Sequence, residues 1–194
     1  MVIDINQHKI SIGSKYDIFI NKEKKYFGEQ KLFKLFAEIH LFSDKTKQQA
    51  FVIKKKFAFV YPTYVLTDKG GKKAVLEMKS YWKTHYQCTY HHKVYDIYPH
   101  RGRKCSVFEN GKQIAWWDKA AVSWFAGDNY QIIANDDANE QVLIACCLAY
   151  DNYTFRSGDK GLINIDVGNV FLQKRRFDQE WKPNNKVVKI DYTK

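Results

Sequence analysis

The sequence has no apolar run long enough to cross a bilayer. Its longest one, Val142 to Tyr150, has nine residues, whereas a membrane-spanning helix needs roughly 20. The segment from Met1 to His8 contains an acid and no apolar core, so it is unlike a signal peptide, and neither end carries a lipidation motif. Four cysteines in 194 residues do not indicate a disulfide framework. We therefore expect a cytoplasmic protein with reduced thiols.

The sequence also lacks the motifs of common enzyme classes. It contains neither a Gly-x-Ser-x-Gly elbow nor a phosphate loop of the Gly-Lys-Ser/Thr type. The adjacent acids Asp136 and Asp137 are explained by capping of the helix that follows, and Asp151 by the exit of that helix. We predict no catalytic residue, no cofactor, no metal and no enzymatic activity.

The longest apolar run is apolar at every position, so a helix built from it has no polar face. Such a helix must be surrounded on all sides, and this one is too short for a bilayer. We predict a core helix over residues 138–151. Asp137 is expected to be its N-cap, since Glu140 follows at the capping-box spacing. Cys146 and Cys147 are interpreted as small core residues rather than reactive thiols.

Before residue 135, most periodic segments alternate with the period of a strand. We predict strands at residues 9–12, 16–20, 32–42, 50–59, 64–67, 74–78, 86–90, 93–98, 105–109, 113–117 and 130–134. A helix is the alternative for residues 32–42. Asn110-Gly111 predicts a tight hairpin, and Arg101-Gly102 marks another hairpin tip. Many short strands favour an antiparallel sandwich or barrel, and only a large barrel leaves room for an apolar helix.

Several of these segments resemble a known family. The stretch Asp128-Asn-Tyr-Gln-Ile precedes Asp136-Asp137 and the apolar run that closes in Asp151, and Tyr16-Asp-Ile-Phe-Ile lies near the start. Three units of strand, lysine, aromatic connection and tyrosine lie between them. The pattern resembles the tubby C-terminal-like superfamily, in its LURP-one-related and phospholipid scramblase-like branch. It covers roughly residues 8–155.

The resemblance implies a closed antiparallel β-barrel of about twelve strands around a central hydrophobic helix. We accordingly expect one domain at residues 1–155, the barrel with its helix. The family commonly ends near that helix, whereas this chain continues. Residues 156–194 are expected to form a C-terminal extension packed on the outside of the same domain, with a helix around residues 168–181.

The chain is strongly basic, with 32 Lys and Arg against 21 Asp and Glu, a net charge of +11. This excess favours an anionic partner, although a merely soluble lysine-rich surface would explain it too. Lys54 and Lys56 share one face of a strand, and further basic residues crowd two hairpin tips, at residues 69–73 and 100–104. Lysine holds a phosphate as a point charge and arginine holds it by a fork of donors. The candidate anion-binding or lipid-binding residues are Lys54, Lys56, Arg101, Arg103 and Lys104.

These observations favour a non-enzymatic binding protein for anionic phospholipid headgroups or a membrane surface. The resemblance points the same way, because some tubby-like members bind phosphoinositides and scramblases act on phospholipids. Scramblase activity itself is not expected, because the helix is too short to span a membrane.

Two alternatives remain open. Lysines interleaved with aromatics, as in Lys79-Ser-Tyr-Trp-Lys83, could bind single-stranded nucleic acid. The spacing His85-x-x-Cys88-x-x-His91-His92 could instead belong to a metal-dependent enzyme. On a strand, however, His85 and His91 share one face while Cys88 and His92 share the other, so the four side chains do not converge.

Overall fold

The structure is a computed structural model that describes residues 1–10, 13–32, 37–56, 63–80, 85–100, 103–120, 129–157 and 175–184. Within these ranges it contains twelve strands and one helix. The strands are β1 (Val2–Ile10), β2 (Gly13–Ile20), β3 (Glu23–Leu32), β4 (Ala37–Ser43), β5 (Gln49–Lys56), β6 (Thr63–Asp68), β7 (Lys73–Ser80), β8 (His85–Tyr90), β9 (Lys93–Pro99), β10 (Lys104–Glu109), β11 (Lys112–Ala120) and β12 (Asn129–Ala134). The helix is α1 (Glu140–Ser157).

All twelve strands belong to one closed barrel. Each strand pairs antiparallel with its neighbours in the sequence, and the barrel closes where β1 pairs with β12, from Val2 opposite Ile133 to Asn6 opposite Asn129. Closure leaves none of the twelve described strands with an unpaired edge. The predicted closed antiparallel barrel of about twelve strands around a hydrophobic helix is therefore confirmed.

Alternation along the strands separates the core from the outer surface. In β2, Tyr16, Ile18 and Ile20 are buried and face inward, while Lys15 and Asp17 face outward. Successive side chains of a strand point to opposite faces, so every strand of a closed barrel supplies one inward row. These inward rows are mainly isoleucine, tyrosine, alanine and leucine, and together with α1 they form one apolar cluster.

The helix α1 fills the barrel. Every residue from Val142 to Ala149 is at most 1% exposed, which fits a segment without a polar face. The structure thus confirms the predicted core helix and extends it from residue 151 to Ser157. Among the described residues, no helix combines the length and the apolar character needed to cross a membrane.

The N-cap of α1 differs from the prediction. The Asn139 side-chain oxygen accepts a hydrogen bond from the Val142 amide at 3.1 Å, which is the geometry of a cap to the third helical residue. The predicted cap, Asp137, was wrong because the helix begins at Glu140, two residues later than the predicted start. Glu140 still lies in the first turn, where its charge is favourable to the helix dipole.

Polar contacts tie both halves of α1 to the barrel wall. Near its start, the Tyr26 hydroxyl donates to Glu140 Oε1 at 2.5 Å. In its second half, buried Asp151 accepts a hydrogen bond from Lys119 Nζ at 3.2 Å and another from the Tyr130 hydroxyl. The expectation that Asp151 marks the helix exit was wrong, since the helix continues past it and the carboxylate is part of a buried ion pair.

The tight hairpins follow their turn residues. Asn110 and Gly111 have φ of 49° and 84°, as a type I′ turn requires, so this hairpin is confirmed. Both residues also have a positive φ at Asn21-Lys22 and at His91-His92. The strands β9 and β10 pair as predicted, whereas Arg101-Gly102 between them lies outside the described residues.

Some strand bounds differ from the predictions. The strand β1 begins at Val2 rather than at residue 9, and β3 was not predicted before residue 32. The start of β3, Glu23-Lys-Lys, is charged on both faces, so its sequence has no apolar alternation to detect. The strand predicted over residues 32–42 divides between the end of β3 and β4, and residues 33–36 and 57–59 lie outside the described ranges.

The apolar contacts of α1 should dominate stability. We expect Leu143→Ala, at a side chain that is fully buried, to lower the free energy of unfolding by about 2–5 kcal/mol because it leaves a cavity. Leu143→Met nearly conserves volume and should cost less than about 1.5 kcal/mol. Urea unfolding measures both, and equal stability of the alanine variant and the wild type would contradict the enclosed position of the helix.

The Asp151–Lys119 pair gives a second prediction. Asp151→Asn leaves a mostly buried ammonium without its carboxylate and should lower the free energy of unfolding by about 3 kcal/mol. Adding Lys119→Met should recover much of that loss, because the mostly buried ammonium is then removed together with the carboxylate. A double-mutant cycle measured by chemical unfolding tests this, and additive losses would show that the two residues are not coupled.

Candidate anion-binding surface

A groove of about 640 Å³ lies on the outside of the barrel across β4 to β7. Strand register builds it, because Lys54 of β5 lies opposite Glu38 of β4 and Val65 of β6, and Thr67 of β6 lies opposite Lys73 of β7. We call it the lysine groove, and its lining residues are Glu38, Val52, Lys54, Lys55, Lys56, Val65, Thr67 and Lys73.

The predicted alternation of the three consecutive lysines is observed. Lys54 and Lys56 are exposed, whereas Lys55 between them is half-buried. Val52 and Val65 also line the groove, although each is buried apart from a small exposed fraction. The groove therefore combines an apolar floor with ammonium groups at its margin, an arrangement that long lysine side chains adopt readily.

The charge of the groove is unbalanced. Among the described residues that line it, four are lysines and one is a glutamate, which gives a formal charge of +3. Lys54 Nζ lies 3.0 Å from Glu38 Oε1, and its hydrogen bond lowers the pKa of Glu38, as does a contact from His40. Glu38 thus remains ionised and offsets Lys54. The side chains of Lys56 and Lys73 make no ion pair with any residue that the structure describes, so their charge is available to an anion.

A second outer groove, of about 310 Å³ across β1 to β3 and the turn after β4, is lined by described residues whose charges balance. Asp17 pairs with Lys24 at 2.7 Å and with His8 at 3.1 Å, and Asp44 pairs with Lys47 at 3.0 Å. Burial acts to raise the pKa of Asp17, but the hydrogen bonds and charges of Lys24 and His8 outweigh it and the pKa is lowered. This groove has no cationic excess comparable to that of the lysine groove.

The other predicted basic residues lie elsewhere. Lys104 starts β10 and Arg103 immediately precedes it, while Arg101 lies outside the described residues. Lys104 Nζ packs over the rings of Trp116 and Phe177, at 5.6 and 5.2 Å from their centroids, and lies 3.9 Å from Asp118. Its charge is therefore engaged with neighbouring side chains.

The two basic clusters do not converge on one site. Five positions separate β5 from β10 in a ring of twelve strands, which places them almost on opposite sides of the barrel. The structure joins Lys54 and Lys56 instead to Lys73, which the sequence assigned to a separate hairpin tip. Only the register of β5, β6 and β7 brings these lysines together, and no local signal shows that register.

The His85-to-His92 segment is divided between the two ends of β8. His85 Nε2 lies 2.7 Å from Asp96, and its ring stacks on Tyr98 at 4.8 Å. Cys88 is buried inside the barrel, and His91-His92 form the turn at the other end of the strand. In the part of the chain that the structure describes, no three His, Cys, Asp or Glu side chains are grouped to hold a metal ion.

Residues 175–184, which we call the C-terminal strap, lie on the outside of β9, β10 and β11. The Phe177 ring packs edge-on against His100 at 5.3 Å and Trp116 at 5.5 Å. The strap is not helical, so the helix predicted over 168–181 is wrong from residue 175 onward, and residues 168–174 lie outside the described part. The proposed domain bounds, 1–155 and 156–194, stay a prediction.

His100 is an unusual group beneath the strap. It is 4% exposed, its Nε2 lies 2.7 Å from Ser106 Oγ, and its Nδ1 is buried without a hydrogen-bond partner among the described residues. Burial lowers the pKa of His100 to about 4, so the imidazole is neutral near pH 7. No sequence signal distinguished this histidine from the other five.

Comparisons of the chain with protein-family models, with curated proteins and with solved structures gave no significant match. The assignment of a function therefore depends on the surface described above.

His100 should make stability depend on pH. Its pKa is about 4 in the folded protein against an ordinary 6.5, so the unfolded chain binds the proton more tightly. The contribution of neutral His100 to the free energy of unfolding is complete above pH 6.5. It is lost as the pH falls from 6.5 to 4, and the loss is roughly 3 kcal/mol at most. Asp17, Glu38 and Asp68 have lowered pKa values, so their effect on the free energy of unfolding appears mainly below pH 4.

The comparison variant is His100→Gln, whose side chain does not titrate. Urea unfolding at several pH values between 4 and 6.5 should show a steeper loss for the wild type than for this variant. Parallel curves would contradict a buried, neutral His100.

Proposed function

We propose that the protein is a non-enzymatic binding protein that recognises anionic phospholipid headgroups at a membrane surface through the lysine groove. The observation that carries this proposal is that Lys56 and Lys73, which make no ion pair among the described residues, lie beside Lys54 around an open groove with a valine floor. The overall charge of +11 supports it, because a basic surface attracts an anionic membrane before contact.

The chemistry of the groove suits a phosphate group. Lys56 and Lys73 can each donate hydrogen bonds to phosphate oxygens, and Lys54 can do so while it remains paired with Glu38. Lysine presents a rotatable point charge rather than a fixed fork of donors. The groove therefore selects ligands by their negative charge more than by one exact geometry of the phosphate. Val52 and Val65 can contact the apolar part of a lipid beside its headgroup.

The resemblance to the tubby C-terminal-like superfamily is part of this proposal. A closed antiparallel barrel around a hydrophobic helix is the fold that the resemblance implies, and lipid recognition is a property of some of its members. The phosphate-binding residues proposed here are derived from the lysine groove alone, since no local motif allows a transfer residue by residue.

Removal of three groove lysines should weaken membrane binding strongly. Each basic residue near an anionic membrane contributes about 1 kcal/mol, so Lys54→Ala/Lys56→Ala/Lys73→Ala should lower the partition coefficient by roughly 100-fold. Co-sedimentation with vesicles of phosphatidylserine and phosphatidylcholine measures this, with pure phosphatidylcholine vesicles as the neutral reference. Binding should also weaken with added salt.

The matched control is Lys25→Ala/Lys45→Ala/Lys112→Ala, which removes the same charge from exposed sites outside the groove. It should bind anionic vesicles much more tightly than the groove variant. If the control variant and the groove variant lose vesicle binding equally, the effect is due to net charge alone. If the wild type binds neither vesicle type, the proposal is refuted. A competition experiment addresses the nucleic-acid alternative. That alternative would be favoured if a single-stranded oligonucleotide displaces the protein from vesicles at a lower concentration than the free headgroup does.

A further inference from the structure

We propose that the outer face of β9, β10 and β11 is a docking surface for an extended peptide of a partner protein, one that carries an arginine two residues before a phenylalanine. In the structure the C-terminal strap occupies this surface in cis. The inference goes beyond the proposed lipid recognition, because it concerns another side of the barrel and another class of ligand.

The strap shows which side chains the surface accepts. The Arg175 guanidinium lies 4.0 Å from the ring centroid of Phe108 and 5.7 Å from that of Tyr98, a geometry in which a cation is attracted by the ring faces. Two residues later, Phe177 fits edge-on between His100 and Trp116. In an extended chain, residues two apart point to the same side, so the surface presents two adjacent sites for an Arg-x-Phe sequence.

The strap is only partly buried. None of its ten residues is buried, and seven are exposed, including Arg175 itself. At its far end, the Asn184 amide donates to Asn135 Oδ1 at 2.8 Å. Segments with few buried contacts open at low free energy. The apolar core lies inside the barrel, so the strap can leave this face without exposing that core.

The strap also leaves one hydrogen-bonding group of the surface without a partner among the described residues. His100 Nδ1 is buried beneath it without a hydrogen-bond partner among the described residues, and an unpaired buried polar atom disfavours the state that buries it. The edge of Phe177 cannot supply a conventional hydrogen bond. A peptide that places a polar group beside its phenylalanine can satisfy this nitrogen and therefore compete with the strap.

The charges around this face are mixed. Lys104 packs over the same Phe177 ring and lies 3.9 Å from Asp118, Asp96 pairs with His85, and the His85 ring stacks on Tyr98. Among the described residues, aromatic faces rather than one dominant carboxylate thus receive the arginine. This composition favours a peptide with an arginine and an aromatic residue over a simple polycation.

The test uses the full chain with Arg175→Ala/Phe177→Ala, which removes both anchors of the strap. The probe is a fluorescent peptide with the sequence of residues 175–184, followed by fluorescence anisotropy. The double variant should bind the peptide at least ten-fold more tightly than the wild type, in which the strap competes at a high effective concentration. A peptide with alanine at both anchor positions should not bind the variant.

Nuclear magnetic resonance of the histidine ring protons checks that the strap leaves. The pKa of His100, about 4 when covered, should rise towards 6.5 in the double variant while circular dichroism remains unchanged. An unchanged pKa would show that the strap does not cover this face in solution and would overturn the proposal.

Equal peptide binding by variant and wild type, or none by either, would overturn it as well. So would concentration-dependent dimers of the wild type that dissociate in the double variant, since the occupant would then be the strap of a second copy. Vesicle binding by the lysine groove is measured separately and does not depend on any of these outcomes.

Discussion

The structure depends on one constraint, which is that a helix without a polar face must be enclosed on every side. A single sheet can cover one face of α1, and two sheets leave its flanks open to water. A closed ring of strands covers the whole circumference and also leaves no strand edge unpaired. The barrel therefore needs the helix to fill its interior, and the helix needs the barrel to shield it from water. The polar contacts at Glu140 and Asp151 fix the position of the helix along the barrel axis.

Because the helix occupies the interior, any ligand would have to bind on the outside. The outer faces of the strands are free to vary in charge, and their charge differs from one group of neighbouring strands, or sector, to the next. The sector of β1 to β4 balances its charges in local pairs, whereas the sector of β4 to β7 carries an excess of lysine. On a third sector, aromatic and imidazole side chains of β9 to β11 meet the strap. One scaffold thus supports different surfaces at different angles around its axis.

Local signals in the sequence predicted most of the fold. Alternation located most strands, Asn110-Gly111 located a hairpin, and the absence of a polar face placed α1 in the core. Features that depend on distant parts of the chain were missed. The association of Lys73 with Lys54 depends on the register of three strands, and the engagement of Lys104 depends on Phe177, which follows it by more than seventy residues. The N-cap was misplaced because Asp137 and Asn139 are both good capping residues, and the sequence alone does not choose between them.

The order of elements along the chain has a consequence for biosynthesis. The helix α1 follows all twelve strands, so a ribosome makes the entire wall of the barrel before the element that fills it. Until then, hairpins can form between neighbouring strands, but their inward rows of isoleucine, leucine and tyrosine have no partner. Such surfaces promote association between incomplete chains. Nascent chains of this protein therefore need either rapid completion or the protection of a chaperone until the helix has emerged.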